Sequence, residues 1–336
     1  MTAFRTPAIV LATMMAVGSW VSVGRGQQVT QPAMSYGVRG EAIFPAVEGW
    51  GPDKDGKNNI IWVGYYNRNA EQTIDVPIGP NNRIEPGGPD MGQPTHFEPG
   101  RHYGVFGIVV PKDFGTKKLT WTLTANGQTS AVQLWLNPPY WVNFFLNPST
   151  GNTPPVIRFA QNGPGLTGPP LGIVETRTAT VNQPLALTTW VSDRPHTYDP
   201  ESELPPEARA AGRGRGDAAA GGARGRGARP DANFEFGNAI GGAQPRSDFP
   251  RGGPGYDVLV NWYIHRGDAS KITFGQQPVR LKHGDNVDAV MEATTSATFS
   301  APGTYVLRVQ ANDETGDGGG GDLCCWSNAL VTVNVK

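Results

Sequence analysis

Cysteine is nearly missing from this chain. Cys324 and Cys325 are the only two in 336 residues, so no disulfide framework of the kind that staples small secreted folds can hold it together. Stability has to come from packed apolar cores. An excess of one charge is also lacking: 28 Lys and Arg face 29 Asp and Glu, a net of −1, which offers no field to draw in nucleic acid or an anionic membrane surface. Long hydrophobic runs occur only at the start, and no later segment approaches the roughly 20 apolar residues that cross a bilayer. Stable membrane insertion of the rest is therefore not expected. Nor does any later stretch show the 3.6-residue apolar spacing of a helix. Serine nucleophile elbows, His-Glu-x-x-His zinc helices and phosphate-cradling loops are all absent, so no motif places an enzyme's chemistry.

What the first residues do contain is an export signal. Arg5 precedes an apolar run from Ala8 to Val23, followed by small residues. Cleavage after Gly24 or after Gly26 satisfies the small-residue requirement, so residues 1–26 read as a signal peptide. The mature protein is expected outside the cytoplasm, in a periplasmic or extracellular setting.

Beyond the signal, strand patterns dominate. Apolar residues alternate through Ile74, Val76 and Ile78, and again through Leu119, Trp121, Leu123 and Ala125. The pattern returns at Leu185, Leu187, Thr189 and Val191; at Val258, Val260, Trp262 and Ile264; at Tyr305, Leu307, Val309 and Ala311; and at Ala329, Val331, Val333 and Val335. A period of two bounded by Gly, Pro, Asn or Asp is the mark of a half-buried strand. Asn126-Gly127 between two such runs predicts a tight hairpin, and Pro302-Gly303 predicts a type II turn. An all-β chain with short connections implies stacked sheets.

Two segments interrupt the pattern. Paired prolines at 138–139 and 154–155 exclude a regular ladder and favour a stiff connection, so 138–153 reads as a linker between two sandwiches. It carries Tyr140, Trp141, Phe144 and Phe145, which are expected to pack the two halves together, although an exposed version would be a binding patch. Residues 205–255 differ again: of 51 residues 13 are Gly, 11 Ala, 8 Arg and 6 Pro. So little apolar surface cannot offset the entropy of ordering, and a disordered excursion from a loop is expected.

The C-terminal half resembles a PKD-type immunoglobulin-like domain. The resemblance rests on "PPVIRF", "VNQPLALTTWVSD", "VNWYIHRG" with its core tryptophan, "ATFSAPGTYVLRVQAND" and "NALVTVNV". The loop after the tryptophan departs from that pattern, reading "YIHRGDAS" where PKD domains carry an Asp-Phe-Gly-Asp-Gly type sequence. The N-terminal half, with "FPAVEGW", "VGYYNRN" and "VFGIVVPKDFG", is similar to uncharacterised exported bacterial β-sandwich proteins. The expected fold is thus all-β: two immunoglobulin-like β-sandwiches, 27–137 and 154–336, the second interrupted by the Gly/Arg/Ala-rich insertion. PKD-like modules imply a spacer, adhesive or protein- and glycan-contacting role.

Candidate site residues are few. Acidic residues gather at strand ends, and Asp193, Glu201 and Asp313 are the first candidates for a calcium site, since that ion takes six to eight oxygens; turns also favour Asp and Glu for solvation alone. His96 and His102 flank Glu98, a spacing too loose to specify a metal, and read as surface-loop residues. His265 alternates with Trp262 and is expected on the outer surface. Cys324 and Cys325, adjacent and exported, are expected to close a strained vicinal disulfide beside Trp326. Trp141 and Trp326 are ligand-contact candidates. These features describe an exported, non-enzymatic binding, adhesive or spacer protein of the envelope, with an envelope protein or glycan as partner and calcium as the candidate cofactor. The alternative is an enzyme or metal-handling protein whose site is borne on loops.

Overall fold

In a computed structural model, residues 37–146, 152–194, 257–286, 288–313 and 326–336 are described. The signal segment, the insertion at 205–255, Glu201 and both cysteines lie outside them. Among the described residues the only helical turns are two three-residue 3-10 turns, and the rest of the regular structure is strand. The chain is all-β.

The first half contains β1 (Ile43–Pro52), β2 (Asn58–Asn67), β3 (Ile74–Asp75), β4 (Asn82–Glu85), β5 (His96–Phe97), β6 (Gly100–Pro111), β7 (Leu119–Ala125) and β8 (Gln128–Leu134). They form the sheets β1-β2-β6 and β4-β7-β8 and a two-stranded ribbon, β3-β5. The second half contains β9 (Val156–Arg158), β10 (Ile173–Ala179), β11 (Pro184–Ser192), β12 (Val258–Arg266), β13 (Ile272–Phe274), β14 (Val279–Leu281), β15 (Met291–Phe299), β16 (Gly303–Asp313) and β17 (Trp326–Val335). Their sheets are β9-β11-β15-β13 and β10-β17-β16-β12-β14.

Both halves have an immunoglobulin-like strand order. Lettered in that scheme, the first half is A-B-E over C-F-G. The second is A-B-E-D over a split A strand followed by G-F-C-C′, with β10 lying parallel beside β17 and with the D-position strand β13 preceding the C′-position strand β14 in the chain. The second half also has the tyrosine corner of such folds: Tyr305, near the start of its F strand, donates its hydroxyl to Ala301 O at 3.0 Å.

The predicted alternation is present where a strand has one core face. In β7, Leu119, Trp121, Leu123 and Ala125 are buried between half-exposed threonines, and the Trp121 ring meets Phe106 edge-on at 5.1 Å. Its indole donates to Asn82 Oδ1, while the Asn82 amide satisfies the carbonyls of Val76 and Pro94. That amide is why the predicted strand through Ile78 stops after Asp75: the Val76 carbonyl is taken by a side chain and Pro77 has no N–H. The hairpin at Asn126-Gly127 forms as expected, with φ of 50° and 73° at the two positions joining β7 to β8. Gly303 departs from expectation. Its φ of 154° is far from the +80° of a type II turn, and it already pairs with Val335 as the first residue of β16.

Strand β2 breaks the alternation altogether. Ile61, Val63 and Tyr65 face the core of the first sandwich. Ile60 and Trp62, on the opposite face, are equally buried and pack with Phe144 of the linker and Trp326 of β17. The outer face of β1-β2-β6 is thus covered by the linker and by the outer face of the five-stranded sheet. Hydrogen bonds tie the halves along this seam, from Gly107 N to Pro170 O at 3.0 Å and from Thr95 N to His265 O at 2.9 Å. The described residues all fall within one compact unit.

Of the four linker aromatics, Phe144 fills the seam and Phe145 packs at its margin. Tyr140 and Trp141 do not: they are 50% and 51% exposed. The prolines at 138 and 139 set up a 3-10 turn, after which Val142 N donates to Trp50 O, so the linker runs along the β1 edge.

Candidate functional site

One end of the second sandwich gathers Asp193, Asp313 and Trp326, three of the residues singled out in the sequence. There β11 stops at Ser192, β12 starts at Val258, β16 ends at Asp313 and β17 begins at Trp326. Val258 pairs with Asp313, and Asn312 with Trp326. Ser192 pairs with Val156, and Pro155 just before it accepts from Ser327 Oγ. The B–C connection, the F–G connection and the incoming linker therefore all meet this end, the end that bears the hypervariable loops in antibody variable domains.

Several side chains of this rim are engaged with one another. Asn152 donates to Asp313 Oδ2 at 2.7 Å, which anchors the linker to the end of β16. Asp257 accepts from both the backbone N–H and the Nδ1 of His283, the latter at 3.0 Å. Asp193 and Asp313 are both buried here, but among the described residues no group of three or more His, Cys, Asp or Glu is placed to hold a metal. Trp326, a ligand-contact candidate from sequence, is 2% exposed, with its ring 5.2 Å from that of Trp62 and 6.3 Å from that of Tyr103. It is a seam residue and not a surface one. Trp141 keeps the exposure that such a role requires.

A second polar constellation, unforeseen in the sequence, lies inside the seam. Arg308 of β16 is 3% exposed; its guanidinium stands 4.4 Å from the centre of the Tyr263 ring and donates to Asn328 Oδ1 at 2.7 Å. Desolvation lowers its pKa from the ordinary arginine value. His102 of β6 stacks on Tyr65 at 4.7 Å and meets Tyr263 edge-on at 6.3 Å. His265 of β12 bonds Gly92 O through Nε2 at 2.8 Å, and next to it Arg266 makes a two-pronged bond to Asp90 at 2.7 and 2.9 Å.

These placements correct three expectations. His265 is not on an outer surface, because the loop before β5 covers that face of β12. His96 is buried with Nδ1 2.8 Å from Asp75 Oδ1, and His102 is half-buried with Nε2 3.1 Å from Pro99 O, so neither is a free loop histidine. Desolvation pulls the imidazoles of His102 and His265 down to about 3, with Arg308 adding to the effect at both. Desolvation likewise raises Glu48, despite Arg101 at 2.7 Å.

No protein-family model matches the chain, and no curated protein does. Among solved structures it is similar to domains 4 and 5 of the S-layer protein SbsC, at 11% identity over 88% of this chain and 98% of that one, with a TM-score of 0.20. It is also similar to the titin Ig tandem domains A164–A165, at 8% identity over 88% and 99%, with a TM-score of 0.21. Superpositions this loose say nothing of function. The immunoglobulin-like character rests on the strand order itself.

Proposed function

We propose that this chain is an exported, non-enzymatic binding or spacer protein of the cell envelope, whose second sandwich is of the PKD type. The observation that carries the reading is the docked pair of sandwiches. A continuous seam fixes the two modules against each other, while the B–C and F–G connections of the second module both start from one end of it. Such a body holds its loop-bearing end at a set distance and orientation, which suits display or spacing. At that end Asn152 and Asp313 hold the linker to β16, and Asp257 and His283 hold each other.

Calcium at Asp193, Glu201 and Asp313, and a disulfide between Cys324 and Cys325, belong to this reading as proposals about the same end. The test is a capture experiment with the mature chain on envelope extracts and glycan arrays, run beside a variant lacking 205–255 and combined with metal analysis. Retention of a defined envelope protein or glycan by the intact chain supports the proposal. Turnover of any substrate, or a stoichiometric transition metal, would replace it with the enzymatic or metal-handling alternative.

A further inference from the structure

We propose that the seam between the two sandwiches is an acid-sensitive joint, closed at neutral pH and opened when His102 and His265 take up protons. This goes beyond the spacer reading and does not depend on the partner.

The geometry supports it from both sides of the seam. His265 uses Nε2 toward Gly92 O, and its Nδ1 is buried without a hydrogen-bond partner among the described residues. A proton added there meets no acceptor. The charged groups around it are Asp90, already held by Arg266, and the cations Arg266 and Arg308. His102 faces Tyr65 and Tyr263, with Arg308, Arg101 and His96 as its charged or titratable neighbours; Glu98 lies across Tyr65 and Arg308. Each new imidazolium would therefore join a seam that already contains the desolvated Arg308 cation.

A second observation points the same way. Trp62 Nε1, Trp326 Nε1, Asn312 Oδ1 and Asn328 Nδ2, all buried along the seam, have no hydrogen-bond partner among the described residues. Each such group costs its desolvation for as long as the seam is closed, and opening returns all four to water. The sandwich cores are different. Their clusters consist of apolar side chains and Tyr residues, and the buried histidines away from the seam, His96 and His283, each already face a carboxylate, Asp75 and Asp257.

The sign follows from the direction of the shifts. Both histidines are held below the ordinary value of 6.5 in the docked form, so the docking they favour is fully present above pH 6.5. It is lost as pH falls toward about 3. Each shifts the equilibrium toward opening by roughly tenfold per pH unit in that window, about 10,000-fold for the two together at pH 4.5.

The experiment is small-angle scattering and tryptophan fluorescence of the mature chain from pH 7.5 to 3.5, with far-UV circular dichroism in parallel. The expected result is an expansion and a change in Trp62 and Trp326 emission below pH 5, while the strand signal is retained. His102→Gln with His265→Gln keeps a donor at each site but no titration, and should move the midpoint down by at least one pH unit. No expansion by pH 3.5, loss of strands together with the expansion, or an unchanged midpoint in the double variant would overturn the proposal. Should the double variant not fold, NMR titration of the wild-type imidazole resonances decides instead: apparent values near 6.5 sink the idea, and values well below 5 sustain it.

Discussion

Gly104 shows how much of this molecule turns on single residues. It sits on β6 with φ of +55°, and a Cβ there would fall within the ring of Trp62. The glycine lets the indole pack directly against the β6 backbone while it contacts Phe144 and Trp326. Gly104→Ala combines a left-handed backbone that alanine tolerates poorly with overpacking of a fully buried ring, and should cost about 2–4 kcal/mol, read as a lower midpoint in urea unfolding. The neighbouring Gly107→Ala has a φ outside the left-handed region and is crowded by the side chains of Leu171 and Ile60, so it should cost about 1–2 kcal/mol.

The cysteine pair is a separate question at this scale. Neighbouring Cα atoms lie about 3.8 Å apart across a trans peptide, short of the roughly 4.4–6.8 Å of an ordinary disulfide, and the ring would enclose almost no chain. A bond between Cys324 and Cys325 should therefore stabilise little and reduce easily. Intact mass of freshly isolated protein is expected about 2 Da below the dithiol form, with no disulfide-linked dimer.

At the scale of elements, the strands most legible in the sequence were those whose core-facing apolar residues alternate with polar ones. β7, β11, β12, β16 and β17 all appear where the alternation placed them, and the Asn126-Gly127 hairpin follows from local backbone preferences alone. β2 was not legible in this way, because "NNIIWVGYYN" is buried on both faces and a continuous apolar run has no period to read. For the same reason the buried places of Arg308 and His265 could not be foreseen. Each alternates correctly out of its own core, and only the arrival of the other half turns that outer face into an interior.

Arg177 illustrates a related limit. Its guanidinium bonds the carbonyls of Ala186 and Thr188 at 3.1 and 3.3 Å on the stretch of β11 that β9, pairing only with Trp190, Val191 and Ser192, leaves open. This covers exposed acceptors that would otherwise template a foreign strand. Arg177→Ala should change stability by less than about 1 kcal/mol yet increase aggregation on storage. Light scattering over days measures it, and an aggregation rate equal to wild type would show that the edge is protected by other means.

For the whole molecule, the decisive question is whether two immunoglobulin-like modules behave as two or as one. Tandem modules joined by a bare linker would melt independently, each with its own core. Here Trp62 belongs to the first sandwich by sequence, Trp326 to the second and Phe144 to the linker, and their rings meet at 5.2–5.3 Å around Trp62. Burying these three side chains is worth several kcal/mol, and the Thr95–His265 and Arg266–Asp90 bonds add to it. That coupling is comparable to the entire stability of an ordinary domain, so calorimetry at pH 7.5 should show a single cooperative transition. Trp62→Ala removes the ring common to both contacts, at a cost of about 3–5 kcal/mol. It leaves the first core, built around Trp121, and the second, built around Trp262, without a direct loss. The expected thermogram of that variant has two resolved transitions, the earlier well below the wild-type midpoint. Two transitions already present in the wild type would mean that the seam couples the sandwiches too weakly to hold a fixed angle, and the spacer reading would lose its physical basis. A single, merely lowered transition in the variant would mean that the backbone bonds across the seam suffice without the aromatic cluster.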